Sequence, residues 1–391
     1  MIVPDIDKQK IAIVVVGYNK PLGLKRLLNS INNANYDDIE GVPLYISIDA
    51  SGNEEVYNIA RNFQWKYGVK YVNIENERLG LKKHIFQCAS LTSFFNGVII
   101  LEDDLFVSSS YYHYSVAALK HYGNNDKIAG IALYNEETNG YVDIPFQPEI
   151  NEYDVYAWQT VCSWGEVWNE RMWKDFTRWL ESWDNDFQPI DMMDRIKKWE
   201  RAWSKYYYAY MLQNDKYFIY PYQALSTNFN DAGGEHGGGN TSIVQVSLQQ
   251  NNRDYKFGEF DRLVKYDVYC QNKAIPLWLG IKPEELTVDF FGLKDNYKGR
   301  YVLAPFQLPY KRIKGFALCM RPWEMNVKNN IEGDDFYLYD RGNSEIVIPP
   351  KRDFQLAVAD YYLRGFNLGL LQKYMWNSVK QRIKRRLHIN G

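Results

Sequence analysis

Apolar and polar positions alternate in blocks along the first hundred residues. IAIVVVG, residues 11–17, is a continuous β-branched run ending at Gly17, the pattern of a strand buried on both faces. PLGLKRLLNSI follows, with Leu24, Leu27, Leu28 and Ile31 at helical spacing and Pro21 suited to the first turn. The alternation then repeats. VPLYISID (42–49) predicts a strand and SGNEEVYNIARNF (51–63) opens a helix. VKYVNI (69–74) predicts a third strand, HIFQCASLTSFF (84–95) a third helix, and VIILEDD (98–104) a fourth strand. This order with short connections predicts an α/β fold, a mostly parallel sheet flanked by helices. Ligands of such sheets sit beyond the carboxyl ends of the strands. Asn19, Asp49, Arg78, Glu102, Asp103 and Asp104 all fall at or just after those ends.

The pattern changes after residue 150. Eight of the twelve tryptophans lie between Trp158 and Trp203. Trp164, Trp168, Phe176, Trp179 and Trp183 stand near helical spacings, so they predict either a helical core layer or flat platforms for sugar rings. STNFNDAGGEHGGGNTS, residues 226–242, holds five glycines with Asp231, Glu235 and His236, and predicts a mobile loop able to cover a site. Beyond about residue 250 the pattern is β-rich and irregular. The end, LLQKYMWNSVKQRIKRRLHING, interleaves Lys373, Lys380, Arg382, Lys384, Arg385 and Arg386 with apolar residues and has no acid. Such a helix lies either in the interface of an anionic membrane or free in water.

Composition narrows the classes. With 46 basic and 48 acidic residues the net charge is -2, which excludes bulk attraction for nucleic acid. Cys88, Cys162, Cys270 and Cys319 are widely spaced, so zinc spacings are missing and a reduced, cytoplasmic chain is expected. MIVPDIDKQK does not have the form of a signal peptide, and no apolar run reaches the roughly 18 residues of a spanning helix.

Glu102, Asp103 and Asp104 carry the sharpest chemical signal. Three adjacent carboxylates after an apolar strand repel one another unless a cation is present. If strand geometry continues through them, Glu102 and Asp104 share a face and Asp103 opposes them. Hard oxygen ligands suit Mg2+ or Mn2+, often completed by substrate phosphates. The alternative is an acidic cluster at the N-terminus of the helix expected from SSSYYHYSVAALKHY.

VVVGYNKPLGLKRLLNSI, YISIDASGNEE, ERLGLKKHIFQCA, VIILEDDLFVSSSYY, IAGIALYNEETNG and CSWGEVWNERMW together resemble the nucleotide-sugar glycosyltransferases of the GT-A fold. They are similar to the family-2 type, to the eukaryotic β-N-acetylglucosaminyltransferase that initiates complex N-glycans, and to bacterial polysaccharide sugar transferases. YPYQALSTNFNDAGGEH resembles the loop of the bacterial enzymes. The resemblance covers residues 10 to about 242. It implies a catalytic domain over 1–250, with a nucleotide-binding half (1–125) and an acceptor half (126–250). Residues 251–391 are then a β-rich appendage ending in a basic amphipathic helix.

The resemblance also implies roles. Asp104 would ligate Mn2+ or Mg2+ in a DXD-like motif, joined by His236 on the loop. Asn19, Asp49, Arg78, Lys82, Glu102 and Asp103 would contact the donor, a UDP-sugar by family habit. Trp164 and Asn135 would meet a saccharide or lipid-linked acceptor. Inverting transfer needs one carboxylate base near the acceptor. Relatives carry an acid before a tryptophan pair that Trp199 and Trp203 match in spacing, but Lys197 and Lys198 stand at that place. Glu200 is the nearest substitute, with Asp191, Asp194 and Glu235 farther away. The rival reading is a non-catalytic protein on the same fold that binds carbohydrate or nucleotide sugar. A basic C-terminal helix at the membrane would place the protein peripherally on its cytoplasmic face.

Overall fold

The computed structural model describes residues 2–36, 39–229, 231, 244–345 and 353–386. The expectations for Glu235, His236 and the glycine run around them lie outside these residues.

The chain divides into two compact units, Met1–Leu277 with Leu293–Asn296, and Trp278–Gly292 with Tyr297–Gly391. The division expected after residue 250 falls inside the first unit, because residues 265–266 extend its sheet.

The first unit opens as the hydrophobic pattern requires. β1 (Asp7–Gly17), α1 (Pro21–Asn32), β2 (Leu44–Ile48), α2 (Glu54–Asn62), β3 (Lys70–Ile74), α3 (Leu81–Ala89) and β4 (Phe95–Glu102) alternate without a break. Ile13, Val14 and Val15 are fully buried, as a central parallel strand demands. Leu24, Leu27, Leu28 and Ile31 form the buried stripe of α1. The expected third helix ends sooner. After α3, Ser90–Ser93 tighten into a 3-10 turn and β4 starts at Phe95.

The rest of the unit comprises β5 (Leu105–Val107), α4 (Tyr111–Tyr122), β6 (Ile128–Ala132), a small ribbon of β7 (Thr138–Asn139) and β8 (Ile144–Pro145), β9 (Val155–Trp158), β10 (Glu166–Trp168), α5 (Glu170–Ser182), α6 (Asp194–Lys197), α7 (Ser204–Gln213), β11 (Tyr217–Pro221), β12 (Ser226–Asn228) and β13 (Lys265–Tyr266). Among the described residues the main sheet has nine strands in the order β13-β9-β11-β6-β10-β4-β1-β2-β3. It is mostly parallel, and its antiparallel pairings all involve β9 or β10. Trp158, Trp168 and Trp203 are fully buried and Trp173 and Phe176 are buried, so four of the eight clustered tryptophans are core, while Trp199 is only partly buried. Trp164, Trp179 and Trp183 keep part of their surface in water.

One expectation needs correction at β4. The strand stops at Glu102, and Asp103–Asp104 make the turn into β5. The alternation of faces therefore does not reach Asp104. The chain turns because the backbone N–H of Tyr18, at the end of β1, donates to the Asp103 carboxylate and holds it.

The second unit carries β14 (Leu286–Val288), β15 (Tyr301–Ala304), β16 (Tyr310–Phe316) and β17 (Phe336–Ser344) in one sheet around Val302, Ala304, Tyr337 and Tyr339. α8 (Ile275–Leu279) lies at the junction in sequence, and α9 (Met325–Lys328) and α10 (Phe354–Leu363) follow. α11 (Leu368–Arg386) exposes Leu370, Tyr374, Met375 and Trp376. Among the described residues no helix is long and apolar enough to cross a membrane.

Candidate functional site

The carboxyl ends of β1, β2, β3 and β4 lie at one edge of the sheet, because these strands pair in parallel. Residues just beyond them converge there. Asp103 is buried, and its Oδ2 accepts the Tyr18 N–H at 3.0 Å. Lys20, the residue before α1, donates to Asp104 Oδ2 at 2.9 Å and stands 3.6 Å from Asp103 Oδ1. Both aspartates thus face one cation, not opposite sides of a strand. Burial pushes the Asp103 carboxyl up to about 6, against the pull of Lys20 and the Tyr18 N–H. Burial pulls the Lys20 ammonium down, but the fields of Asp104, Asp103 and Glu102 outweigh it and hold its pKa above the usual value.

Close packing makes this geometry possible. A Cβ on Gly23 would sit 2.5 Å from the Asp103 carbonyl oxygen, so only glycine lets α1 lie against the aspartate turn. Arg26, one turn later, pairs with Asp231 and covers the Phe229 ring at 3.8 Å. The Phe229 N–H donates to the Asp104 carbonyl.

The remaining expected donor contacts are placed as follows. Asp49 is buried at the end of β2, and its Oδ1 accepts the N–H groups of Ala50 and Leu79 while Oδ2 accepts that of Gly80. It ties the end of β2 to the start of α3. Asn19 is exposed and accepts from Asn53 Nδ2 at 2.7 Å. Arg78 is exposed, with its guanidinium 4.9 Å from the centroid of the Tyr18 ring. Lys82 sits 3.4 Å over the Tyr206 ring. Glu102 ends β4 and is half-buried.

The acceptor candidates differ in availability. Trp164 is half-buried and meets Tyr134 edge-on at 4.7 Å, leaving ring surface to solvent. Asn135 is buried, and its amide is committed at both ends, to the Tyr222 carbonyl and the Tyr156 hydroxyl. Glu200 is exposed in a bend between α6 and α7, not on a helix. Asp191 accepts from the Tyr269 hydroxyl, and Asp194 pairs with Lys197 at the start of α6.

Sequence reading passed over Lys20, Glu136 and Glu166. Glu166 starts β10 opposite Ile100 of β4, on the same sheet face as Glu102 two residues on. It is buried and neither carboxyl oxygen has a hydrogen-bond partner. Burial, then the field of Glu102, push its pKa well above the usual value. The Gly165 backbone opposes this only in part. A single acid inside the apolar WGEVW was the available signal.

Asp104 decides whether a divalent ion suits this edge. Its Oδ1 is buried and has no hydrogen-bond partner, an orphaned hard oxygen of the kind Mg2+ or Mn2+ takes. Lys20 already balances part of the charge. Among the described residues no group of three or more His, Cys, Asp or Glu forms a complete metal cage. An ion here would therefore need other ligands, such as phosphate oxygens or water, to complete its shell.

No protein-family model matches the chain, and no curated protein matches it. Similar solved structures include S. aureus TarS 1–349 in complex with UDP-GlcNAc, 12% identical, covering 59% of this chain and 61% of that one at a TM-score of 0.38. A mannosyltransferase from Pyrobaculum calidifontis in complex with GDP-Man and Mn2+ is 14% identical over 45% of this chain and 48% of that chain, with a TM-score of 0.33. GalNAc-T7 with UDP, GalNAc and Mn2+ is 12% identical over 54% of this chain and 42% of that one, with a TM-score of 0.36. The match spans less than two thirds of each of these structures.

Proposed function

We propose that this chain is a glycosyltransferase of the GT-A type. It moves a sugar from a nucleoside-diphosphate donor to a saccharide or lipid-linked saccharide, with inversion. The observation that carries the reading is the Asp103–Asp104 turn at the carboxyl end of β4, with a buried, partnerless Asp104 Oδ1 beside Lys20. Two carboxylates and an ammonium at the edge of a parallel sheet suit a diphosphate whose charge is shared with a divalent ion.

Asp104 would hold Mn2+ or Mg2+, which when bound supplies a Lewis acid for the departing diphosphate. The chain's own residues do the rest. Lys20 adds fixed positive charge beside the leaving group, and the loops after β1, β2 and β3 bring Asn19, Asp49 and Arg78 to the same edge for the nucleotide. Trp164 offers an open aromatic face for an acceptor sugar. UDP is the favoured nucleotide because of the sequence resemblance alone.

The test is release of nucleoside diphosphate from UDP- and GDP-sugars in the presence of Mn2+. Wild-type protein should release it, and Asp104→Ala should reduce release by at least 100-fold. Release that survives Asp104→Ala contradicts the reading. Binding without release leaves a non-catalytic nucleotide-sugar protein.

α11 extends the reading to location. It exposes Leu370, Tyr374, Met375, Trp376, Val379 and Ile383 beside exposed Lys373, Lys380 and Arg382, and no acid occurs between Leu368 and Arg386. An apolar surface with purely positive charge complements an anionic bilayer. The protein then works peripherally at a membrane, where a lipid-linked acceptor is held.

A further inference from the structure

Glu136 lies four residues beyond the end of β6. β10 runs antiparallel to both β6 and β4, so those two strands point the same way and share one carboxyl edge. One strand separates them, a lateral distance of about 10 Å. The segment carrying Glu136 thus leaves the sheet at the edge that carries Asp103 and Asp104, displaced toward the acceptor half.

Tyr134 and Tyr141 flank it along the chain. Tyr134, two residues earlier, meets Trp164 edge-on at 4.7 Å and donates its hydroxyl to the Val244 carbonyl at 3.1 Å. The Tyr141 and Tyr208 hydroxyls lie 3.3 Å apart. Glu136 is half-buried, forms no ion pair and accepts no hydrogen bond among the described residues. A half-buried carboxylate left without a donor and still in touch with solvent is available to a bound hydroxyl.

We propose that Glu136, rather than Glu200, is the base that takes the acceptor proton, an assignment that rests on the glycosyl-transfer reading above. The acceptor O–H bond breaks as its oxygen bonds to the anomeric carbon. The proton goes to a Glu136 oxygen. The bond from the anomeric carbon to the phosphate oxygen breaks, and its electron pair leaves with the nucleoside diphosphate. Trp164, beside Tyr134, supports the acceptor ring.

Burial pushes the Glu136 carboxyl up to about 7, where a base is half-charged near neutrality. The titratable groups that feel its charge do not titrate in that window. They are the hydroxyls of Tyr134, Tyr141, Tyr156, Tyr208 and Tyr220 and the thiols of Cys162 and Cys270, and burial drives all of them upward and leaves them neutral. Glu137, the adjacent acid, is exposed.

The experiment compares wild type with Glu136→Gln and Glu136→Asp. Nucleoside-diphosphate release is measured from UDP-GlcNAc, UDP-glucose and GDP-mannose with Mn2+ and water as the acceptor, from pH 5.5 to 8.5. Binding of UDP with Mn2+ is followed separately by thermal shift. Glu136→Gln should lower turnover by roughly 100- to 10,000-fold while the thermal shift stays at the wild-type value. Glu136→Asp should recover part of the rate, and the acidic limb near pH 7 should vanish from the residual activity of Glu136→Gln. Wild-type rates in Glu136→Gln, or loss of the thermal shift along with turnover, overturn the assignment and leave the donor site standing. Wild-type protein that releases nothing overturns the transfer reading and the assignment with it.

Discussion

A lysine at the start of a helix works against the partial positive charge of the helix N-terminus. Lys20 stands there nonetheless, held by Asp103 and Asp104. The acids therefore determine its position, and it in turn stabilises them. Lys20→Met should lower the stability of the metal-free protein by about 1–3 kcal/mol, less than the loss at a fully buried pair because Lys20 keeps some solvent contact. The same change should tighten Mn2+ binding at least tenfold, about 1.4 kcal/mol, as read by calorimetric titration. Unchanged Mn2+ affinity would mean that the ammonium and the metal do not share the site. Glu166 shows the opposite case, a carboxyl with no cation. Its pKa is raised on folding, so its contribution is most favourable below the ordinary glutamate range and is lost as pH rises toward the folded value. Glu166→Gln should therefore flatten the fall in melting temperature between pH 5 and 9. An equally steep fall in the variant would show that Glu166 is not its source. Sequence reading found the acids, because three carboxylates after VIIL conflict with burial. It missed Lys20, because a lysine after a strand reads equally well as solvated loop.

At the level of elements, the first four strands and three helices were legible. Continuous Val and Ile runs identify strands buried on both faces, and the spacing of Leu24, Leu27, Leu28 and Ile31 identifies α1. Ends were less legible. β4 stops two residues early because hydrogen bonding from the neighbouring strand's loop captures Asp103, a tertiary effect that no local pattern encodes. The antiparallel insertion of β10 between β4 and β6 was not foreseen, since EVW is too short to show a period. That insertion places Glu166 beside Glu102 and aligns the Glu136 segment with the acid edge. α11 offers a separate test. Purified protein should float with phosphatidylglycerol-containing vesicles and not with phosphatidylcholine alone. Reversing Lys373, Lys380 and Arg382 to Glu should weaken binding by roughly two orders of magnitude or more, at ~1 kcal/mol for each basic residue removed. Equal flotation with neutral vesicles, or none with either, contradicts the membrane role.

For the whole molecule, a mostly parallel α/β sheet could be anticipated, while its last strand could not. β13 joins the main sheet through only two residues, Lys265 and Tyr266, too few to register as a strand in the sequence. The central claim concerns the first unit, that the Asp104 edge binds a nucleoside diphosphate together with a divalent ion. The most direct measurement is a thermal-shift panel of UDP, GDP and dTDP, each with and without Mn2+, on wild type and Asp104→Ala. A ligand that binds only the folded chain raises the melting temperature, by an amount equivalent to about 2.7 kcal/mol at one hundred times its dissociation constant. The account predicts a rise in wild type that needs both nucleotide and Mn2+ and disappears in Asp104→Ala. No rise with any nucleotide, or the same rise in Asp104→Ala, would contradict it.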